Sequence, residues 1–123
     1  MSLPPPRQPD HAIDPIFVAR HSPRAFTGEA LPEAELMRMI EAARWSPSAY
    51  NSQPWRFLYA LRGDANWETF FGLLVPGNQK WVSGTGAILF LVSNGLMKVG
   101  DELKPSYSHS FDAGTASLAF QLQ

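Results

Sequence analysis

Hydrophobic residues recur at helical spacing in two long segments of the chain. In residues 32–45 the apolar positions Leu36, Ile40 and Ala43 are four and three residues apart, and the charged side chains lie mostly outside that face. Residues 108–123 repeat such a spacing, so both segments are predicted to be amphipathic helices. Two shorter helices are predicted from capping residues, namely residues 15–20 after Asp14 and residues 65–74 after Asp64 or Asn66.

Two further segments are predicted to be β-strands. Residues Trp55–Leu61 are rich in aromatic and branched side chains and end at a turn over residues 62–64. Residues Ala87–Ser93 are apolar almost throughout, which favours a strand at the centre of a sheet. Because two strands alone do not make a stable sheet, more are expected from weaker segments, from missing sequence or from another subunit. The intervening residues 76–80, 84–86 and 94–105 are predicted to be loops or exposed connections.

The composition is that of a globular protein and excludes several classes of function. The chain has 123 residues, of which 45% are hydrophobic and 17% charged, with a net charge of -1 and no long basic run, so nucleic acid is not expected as a partner. The absence of cysteine excludes disulfides and agrees with a cytoplasmic protein. No apolar run is long enough to span a bilayer, and the three histidines lack metal-ligand spacing, so neither a membrane nor a metal is expected.

The chain is predicted to contain a single domain over residues 13–123, preceded by a flexible, proline-rich tail over residues 1–12. The apolar helical pattern runs as far as Leu122 without a stop signal such as glycine or asparagine. The domain is therefore expected to be truncated at its C-terminal end.

A basic segment, which we call the clamp, follows the first predicted helix and reads Arg20-His21-Ser22-Pro23-Arg24. Pro23 favours an extended backbone at Ser22. Alternate side chains of an extended segment point the same way, so Arg20, Ser22 and Arg24 can converge on one anion. Two guanidinium groups and a hydroxyl suit a phosphate monoester, although a solvated basic turn is the alternative reading of these residues.

An uncharged polar segment, which we call the corner, connects the helix of residues 32–45 to the first strand. It consists of residues 46–54 and reads Ser46-Pro47-Ser48-Ala49-Tyr50-Asn51-Ser52-Gln53-Pro54. Its hydroxyl and amide groups offer donors and acceptors to a neutral ligand, and its prolines restrict the backbone, although an ordinary turn would use the same residues. Together the clamp and the corner suit a mononucleotide-like cofactor with an anionic end and a flat ring.

The order and spacing of the clamp, the helix, the corner and Asn78 ahead of an apolar strand resemble the FMN-dependent nitroreductase family. The resemblance covers about residues 15–123, and Asp112-Ala113-Gly114 is similar to the start of the long central helix of that family. It implies an α+β, nitroreductase-like fold with a central, mostly antiparallel sheet flanked by helices. It also implies an intertwined homodimer with FMN at the interface. Family members continue well beyond this helix, so a chain that ends at Gln123 is expected to hold FMN less well.

The resemblance implies cofactor contacts for three groups of residues. Arg20, Ser22 and Arg24 would bind the phosphate and ribityl end of FMN, and His21 would contribute through its backbone. Four corner residues would approach, or lie close to, the flavin of the partner subunit: Pro47, Ser48, Asn51 and Gln53. Asn78 and Lys80 match a segment that reaches the flavin ring and the ribityl chain. No side chain is assigned a catalytic role, because in such enzymes the cofactor carries the reaction.

The activity that the resemblance implies is oxidoreduction. Hydride from NADH or NADPH would pass through FMN to a nitroaromatic, a quinone or a similar small-molecule acceptor. The alternative is a non-catalytic flavin-binding or flavin-sensing dimeric protein of the same fold. Dehalogenase and flavin-fragmenting variants of the family chemistry also stay open at this stage, as do the choice of nicotinamide cofactor and the identity of the acceptor.

Overall fold

The computed structural model describes residues 6–123, in which five α-helices and four β-strands are present. In chain order they are α1 Pro15–Ala19, α2 Glu33–Arg44, β1 Trp55–Leu61, α3 Trp67–Gly72, α4 Pro76–Val82, β2 Ala87–Ser93, β3 Leu96–Val99, β4 Glu102–Pro105 and α5 His109–Leu122, with one 3₁₀ turn at Ala49–Asn51. The first five residues of the predicted proline-rich tail lie outside the described residues.

The helices and strands with clear sequence signals lie where the sequence predicts them. At α1 the Asp14 carboxylate accepts a hydrogen bond of 2.9 Å from the amide of Ile16, and Pro15 occupies the first turn. At α2 the apolar face is directed inward, and Leu36 and Ala43 are buried. Both predicted strands have the predicted bounds. The helix predicted over residues 65–74 is shorter, because Asp64 accepts from the amide of Leu61 in the preceding turn and α3 begins only at residue 67.

The strands form two small antiparallel sheets, so the predicted place of β2 at the centre of a sheet is wrong within the described chain. β1 pairs with β2 from Trp55↔Ser93 to Leu61↔Ala87, and β3 pairs with β4. The uniform hydrophobicity of β2 has another cause, which is that helices cover both of its faces. Ile88 packs among side chains of α3 and α4, whereas Leu91 packs against the cluster that contains α5 residues.

The segment of residues 94–105, predicted to be an exposed connection, is instead a β-hairpin. Its strands β3 and β4 are joined at Gly100 and Asp101, and Gly100 has a φ of 62°, which a short hairpin turn favours. The strands are four residues long and carry mixed charges, including an ion pair of 3.2 Å between Lys104 and Glu102. Strands of four residues are too short to show a clear alternating pattern in the sequence.

The predicted loop over residues 76–80 is also wrong, because these residues form the first part of α4. Pro76 occupies the first turn, where its missing N–H is not needed. The amides of Asn78 and Gln79 donate to the carbonyl of Val75 at 2.9 and 3.1 Å. Packing of Val82 into the core outweighs the low helix propensity of Gly77 and Asn78.

Two buried clusters lie on opposite faces of the β1–β2 pair. The first joins Trp55 of β1 to Ala43 of α2 and to Ala113 and Ala116 of α5. The second joins residues of α3, α4 and β2: Trp67, Val82 and Ile88. The small residues of the first cluster let α2 and α5 approach the strands closely, and this cluster supports the corner because β1 begins directly after it.

The apolar series that predicts α5 lies mostly on the exposed side of that helix. Phe111 is 77% exposed and Leu118 is 45% exposed. The buried positions of α5 are Asp112, Ala113 and Ala116, of which only the two alanines are apolar. The periodicity therefore gives the correct element, whereas Asp112, Ala113 and Ala116 form the face of α5 that is buried within one chain.

A tyrosine of β1 contacts the first turn of α2 and gives a testable pH dependence. The Tyr59 hydroxyl donates to Glu33 Oε1 at 2.6 Å, and this hydrogen bond raises the pKa of Tyr59 above 10.0. Since the folded-state pKa is raised, the bond stabilises the fold fully below the unfolded-state pKa and is lost as the pH rises through the folded-state pKa. We expect Glu33→Gln to shift one tyrosine of the ultraviolet titration to lower pH.

The control for this titration is Glu68→Gln, which removes an exposed carboxylate from the first turn of α3. We expect its tyrosine titration to match that of the unmodified chain. Identical titrations of Glu33→Gln and the unmodified chain would contradict the Tyr59–Glu33 interaction.

Candidate cofactor-binding site

The clamp begins at the end of α1, where the backbone becomes extended. Arg20, the C-cap residue, has φ -61° and ψ 130°, and its Nη1 donates to Ser22 Oγ at 3.4 Å. The two side chains therefore meet, as the alternation of an extended segment predicts. None of the salt bridges found in residues 6–123 involves Arg20 or Arg24. Both guanidinium groups are thus available to an anion.

A third arginine lies beside the clamp and was not predicted from the sequence. The Arg7 guanidinium donates to the backbone carbonyl of Arg20, thirteen residues further along the chain. A contact at this separation has no local sequence signal. The His21 ring turns back toward α1, with Nδ1 3.3 Å from the carbonyl oxygen of Ala19. The backbone role of His21 toward the cofactor stays a prediction.

The corner has an unusual backbone, with three residues in the left-handed region. Tyr50, Asn51 and Gln53 have φ values of 53°, 51° and 45°. Each such residue, when it is not glycine, costs roughly 1 to 3 kcal/mol and persists only where its surroundings hold it. Two hydrogen bonds within the corner help to hold this backbone. The backbone amide of Gln53 donates to Ser48 Oγ at 3.0 Å, and the side-chain Nε2 of Gln53 donates to Asn51 Oδ1 at 2.9 Å.

Several polar groups of the corner are left for a ligand. In the part of the chain that the structure describes, the Ser48 hydroxyl hydrogen, the side-chain nitrogen Nδ2 of Asn51 and the side-chain oxygen Oε1 of Gln53 have no partner. Ser52 Oγ is buried and likewise lacks a partner among the residues described. A cleft of about 270 Å³ opens here, lined by Arg44, Trp45, Ser46, Asn51 and Gln53. The corner thus offers donors and an acceptor without a charged carboxylate, as the sequence predicts.

Two residues of α5 hold the first part of the corner, and no such role was predicted for them. The buried Asp112 carboxylate accepts from the Ala49 amide at 3.1 Å, and the Thr115 hydroxyl lies 3.3 Å from the Pro47 carbonyl oxygen. The partners are more than sixty residues apart along the chain. The available signal was the single acidic residue of the helix, four residues after Ser108.

Asn78 and Lys80 lie on α4 and are exposed. Hydrogen bonds within residues 6–123 do not join them to the clamp or to the corner, nor the clamp to the corner. The helix that leads into the clamp does approach the corner, because Phe17 of α1 and Pro47 line one cleft of about 470 Å³. α4 approaches the segment after the clamp through the stacked rings of Phe26 and Trp81, whose centroids are 5.9 Å apart.

Membrane-spanning helices and metal-binding clusters are two further features that such a chain could contain. Residues 6–123 contain no helix long and apolar enough to cross a bilayer. In the same residues, no group of three or more histidine, aspartate or glutamate side chains is placed to hold a metal ion.

Comparison with known proteins finds relatives that carry nitroreductase names. Residues 18–70, which include the clamp and the corner, match the model of the Nitroreductase family. A Streptomyces coelicolor protein with the provisional name NADH dehydrogenase/NAD(P)H nitroreductase is 37% identical over 79 residues, which are 64% of this chain and 39% of that protein. A Bacillus subtilis protein provisionally named an NAD(P)H nitroreductase is 39% identical over 44 residues, which are 36% of this chain and 23% of that protein.

Solved structures extend the likeness to nearly the whole chain. A crystal structure described as an oxidoreductase containing FMN is 43% identical and has a TM-score of 0.89, with 98% of this chain and 61% of that chain covered. The chain thus spans less than two thirds of that structure, and between 23% and 39% of the curated relatives it matches. The predicted α+β class and nitroreductase-like fold are confirmed, and the predicted resemblance to the nitroreductase family is borne out by the match over residues 18–70.

Proposed function

We propose that this chain forms the FMN-binding part of an oxidoreductase that uses NADH or NADPH to reduce a small acceptor such as a nitroaromatic or a quinone. The observation that carries the proposal is the clamp, where two arginines without a carboxylate partner in the described residues lie at the start of the family match. The FMN-containing oxidoreductase that is 43% identical over nearly the whole chain supports the choice of cofactor.

The residues present fit such a cofactor by their chemistry. Arg20 and Arg24 would neutralise a phosphate, and charge-assisted bonds from guanidinium groups are about twice as strong as neutral ones. Ser22, already turned toward Arg20 at 3.4 Å, would add a hydroxyl donor. The corner would serve the uncharged remainder through Ser48, Asn51 and Gln53, whose free donors and acceptor suit hydroxyls and ring edges.

FMN held by the clamp and the corner would supply the chemistry of hydride transfer from the nicotinamide and of electron transfer to the acceptor. The side chains of this chain would bind, orient and exclude water. Neither the clamp nor the corner contains a carboxylate that could act as an acid or base, and the proposed chemistry does not require one from them. Asn78 and Lys80 on the exposed surface of α4 would contact the ring and ribityl chain.

We further propose that the site is completed in a homodimer, in which the corner of one subunit approaches the flavin of the other. The exposed face of α5 supports this proposal, because Phe111 is 77% exposed and Leu118 is 45% exposed. Leu118 and Thr115 line the same cleft as Phe17 and Pro47. A large apolar patch of this kind typically marks an interaction surface, and this one borders the corner.

The decisive experiment titrates the purified chain with FMN and then adds NADPH without oxygen. We expect the flavin fluorescence to be quenched on binding, the absorbance to bleach on reduction, and sedimentation at twice the 13.6 kDa of one chain. No uptake of FMN by the chain would overturn the proposal. Bound flavin that NADH and NADPH both leave oxidised would favour the non-catalytic flavin-binding protein instead.

A further inference from the structure

A buried carboxylate on α5 reaches across to the corner. Asp112 is 5% exposed, and none of the salt bridges in the described residues gives it a cation. Its Oδ2 accepts from the Ala49 amide at 3.1 Å and from Ser108 Oγ at 3.0 Å. A buried charge is costly unless hydrogen bonds satisfy it, so these two bonds account for its placement.

The hydrogen bond from Asp112 to the Ala49 amide lies next to the strained backbone of the corner. Ala49 directly precedes Tyr50 and Asn51, whose φ values of 53° and 51° are left-handed. The same helix contacts Pro47, since the Thr115 hydroxyl lies 3.3 Å from the carbonyl oxygen of Pro47. That hydroxyl also lies 2.7 Å from the carbonyl oxygen of Asp112 within the helix. α5 therefore fixes the backbone on both sides of Ser48.

We propose that Asp112 is a positioning residue that holds the corner in the conformation that presents Ser48 and Asn51 to the cofactor. The part of the inference that concerns FMN rests on the proposed function, whereas the part that concerns the corner does not. Asp112 contacts no cofactor in this scheme and acts only through the Ala49 amide, with Thr115 as its auxiliary.

A merely local role in starting α5 is the competing explanation. Asp112 lies in the first turn of α5, where a negative charge favours the helix and Ser108 is the N-cap residue. That role would be served by any acidic or capping group and would leave the corner unchanged. The two explanations therefore differ in what happens sixty-three residues away, at the Ala49 amide.

Two substitutions of Asp112 separate these explanations. Asp112→Asn keeps an oxygen that can occupy the place of Oδ2 and accept both bonds, whereas Asp112→Ala removes the acceptor. We expect hydrogen exchange at the Ala49 amide to be about tenfold to a hundredfold faster in Asp112→Ala, as for the loss of one charge-assisted bond, and close to the unmodified rate in Asp112→Asn. The FMN dissociation constant should likewise rise in Asp112→Ala and stay close to the unmodified value in Asp112→Asn.

The control is Asp101→Asn, an exposed carboxylate in the β3–β4 turn, whereas Thr115→Val removes the contact with Pro47 and no charge and should weaken FMN binding with α5 intact by circular dichroism. If Asp112→Ala does not fold, the unmodified chain and Asp112→Asn decide, and we expect the Ala49 amide of both to exchange far more slowly than an unprotected amide. Unchanged Ala49 exchange in a folded Asp112→Ala protein, or an unprotected Ala49 amide in the unmodified chain, would overturn the positioning role. An unmodified chain that binds no FMN would overturn the proposed function, and Ala49 exchange would still judge Asp112.

Discussion

Replacing Arg20 and Arg24 together by alanine is expected to raise the dissociation constant of FMN by about 10² to 10⁴. Each charge-assisted bond contributes roughly 1.5 to 3 kcal/mol, and 1.4 kcal/mol corresponds to a factor of ten. Neither guanidinium has a carboxylate partner among the described salt bridges, so the substitution should leave the rest of the fold intact. Fluorescence titration with FMN measures the effect.

Two controls show whether the lost affinity comes from contacts between the clamp and the FMN phosphate. Arg38→Ala combined with Lys104→Ala removes the same total charge from residues that are paired with Glu35 and Glu102, and should leave the affinity nearly unchanged. Riboflavin lacks the phosphate and should bind equally to the unmodified chain and to the double clamp variant. If FMN affinity survives the loss of both clamp arginines, the clamp is a solvated basic turn.

Replacing Trp55 by alanine is expected to lower the free energy of unfolding by about 3 to 5 kcal/mol, as is usual for a buried tryptophan. Trp55 is 7% exposed and joins β1 to the small residues of α2 and α5. The cavity would lie where those helices meet the strand, and helices of rigid backbone cannot close it completely. Urea denaturation at a fixed protein concentration measures the loss.

Tyr107→Ala provides the comparison, because Tyr107 is 96% exposed and its removal should change the stability by no more than about 0.5 kcal/mol. The corner ends directly before Trp55, so a folded Trp55→Ala protein should also bind FMN more weakly. A loss of stability below about 1 kcal/mol would mean that Trp55 does not anchor the strand.

Sequence patterns predicted the elements whose signals are local. The N-cap at Asp14, the apolar face of α2 and the composition of β1 each arise from neighbouring residues, and all are confirmed. α4 was missed because Gly77 and Asn78 have low helix propensity, and Val82, which packs the helix into the core, lies outside the segment predicted as a loop. The periodicity that predicts α5 does not reveal which side of the helix meets the core.

The candidate site divides in the same way. Alternation along an extended segment was enough to predict that Arg20 and Ser22 meet. The left-handed residues of the corner were not predictable, since tyrosine and glutamine rarely adopt that conformation without outside support. That support comes from Asp112, sixty-three residues from Ala49, and a contact at such a distance depends on how the whole chain folds. The ten predicted cofactor contacts stay predictions, of which the substitutions above test Arg20 and Arg24 directly.

The left-handed residues of the corner set stability against activity. Glycine at position 51 or 53 would relieve backbone strain, which costs roughly 1 to 3 kcal/mol per residue, but would remove an amide side chain proposed to contact the cofactor. A laboratory selection for thermal resistance alone should therefore accumulate Asn51→Gly and Gln53→Gly, whereas a selection for flavin retention should reject both. Heat-resistant variants of this chain would then fold but no longer retain the coloured flavin.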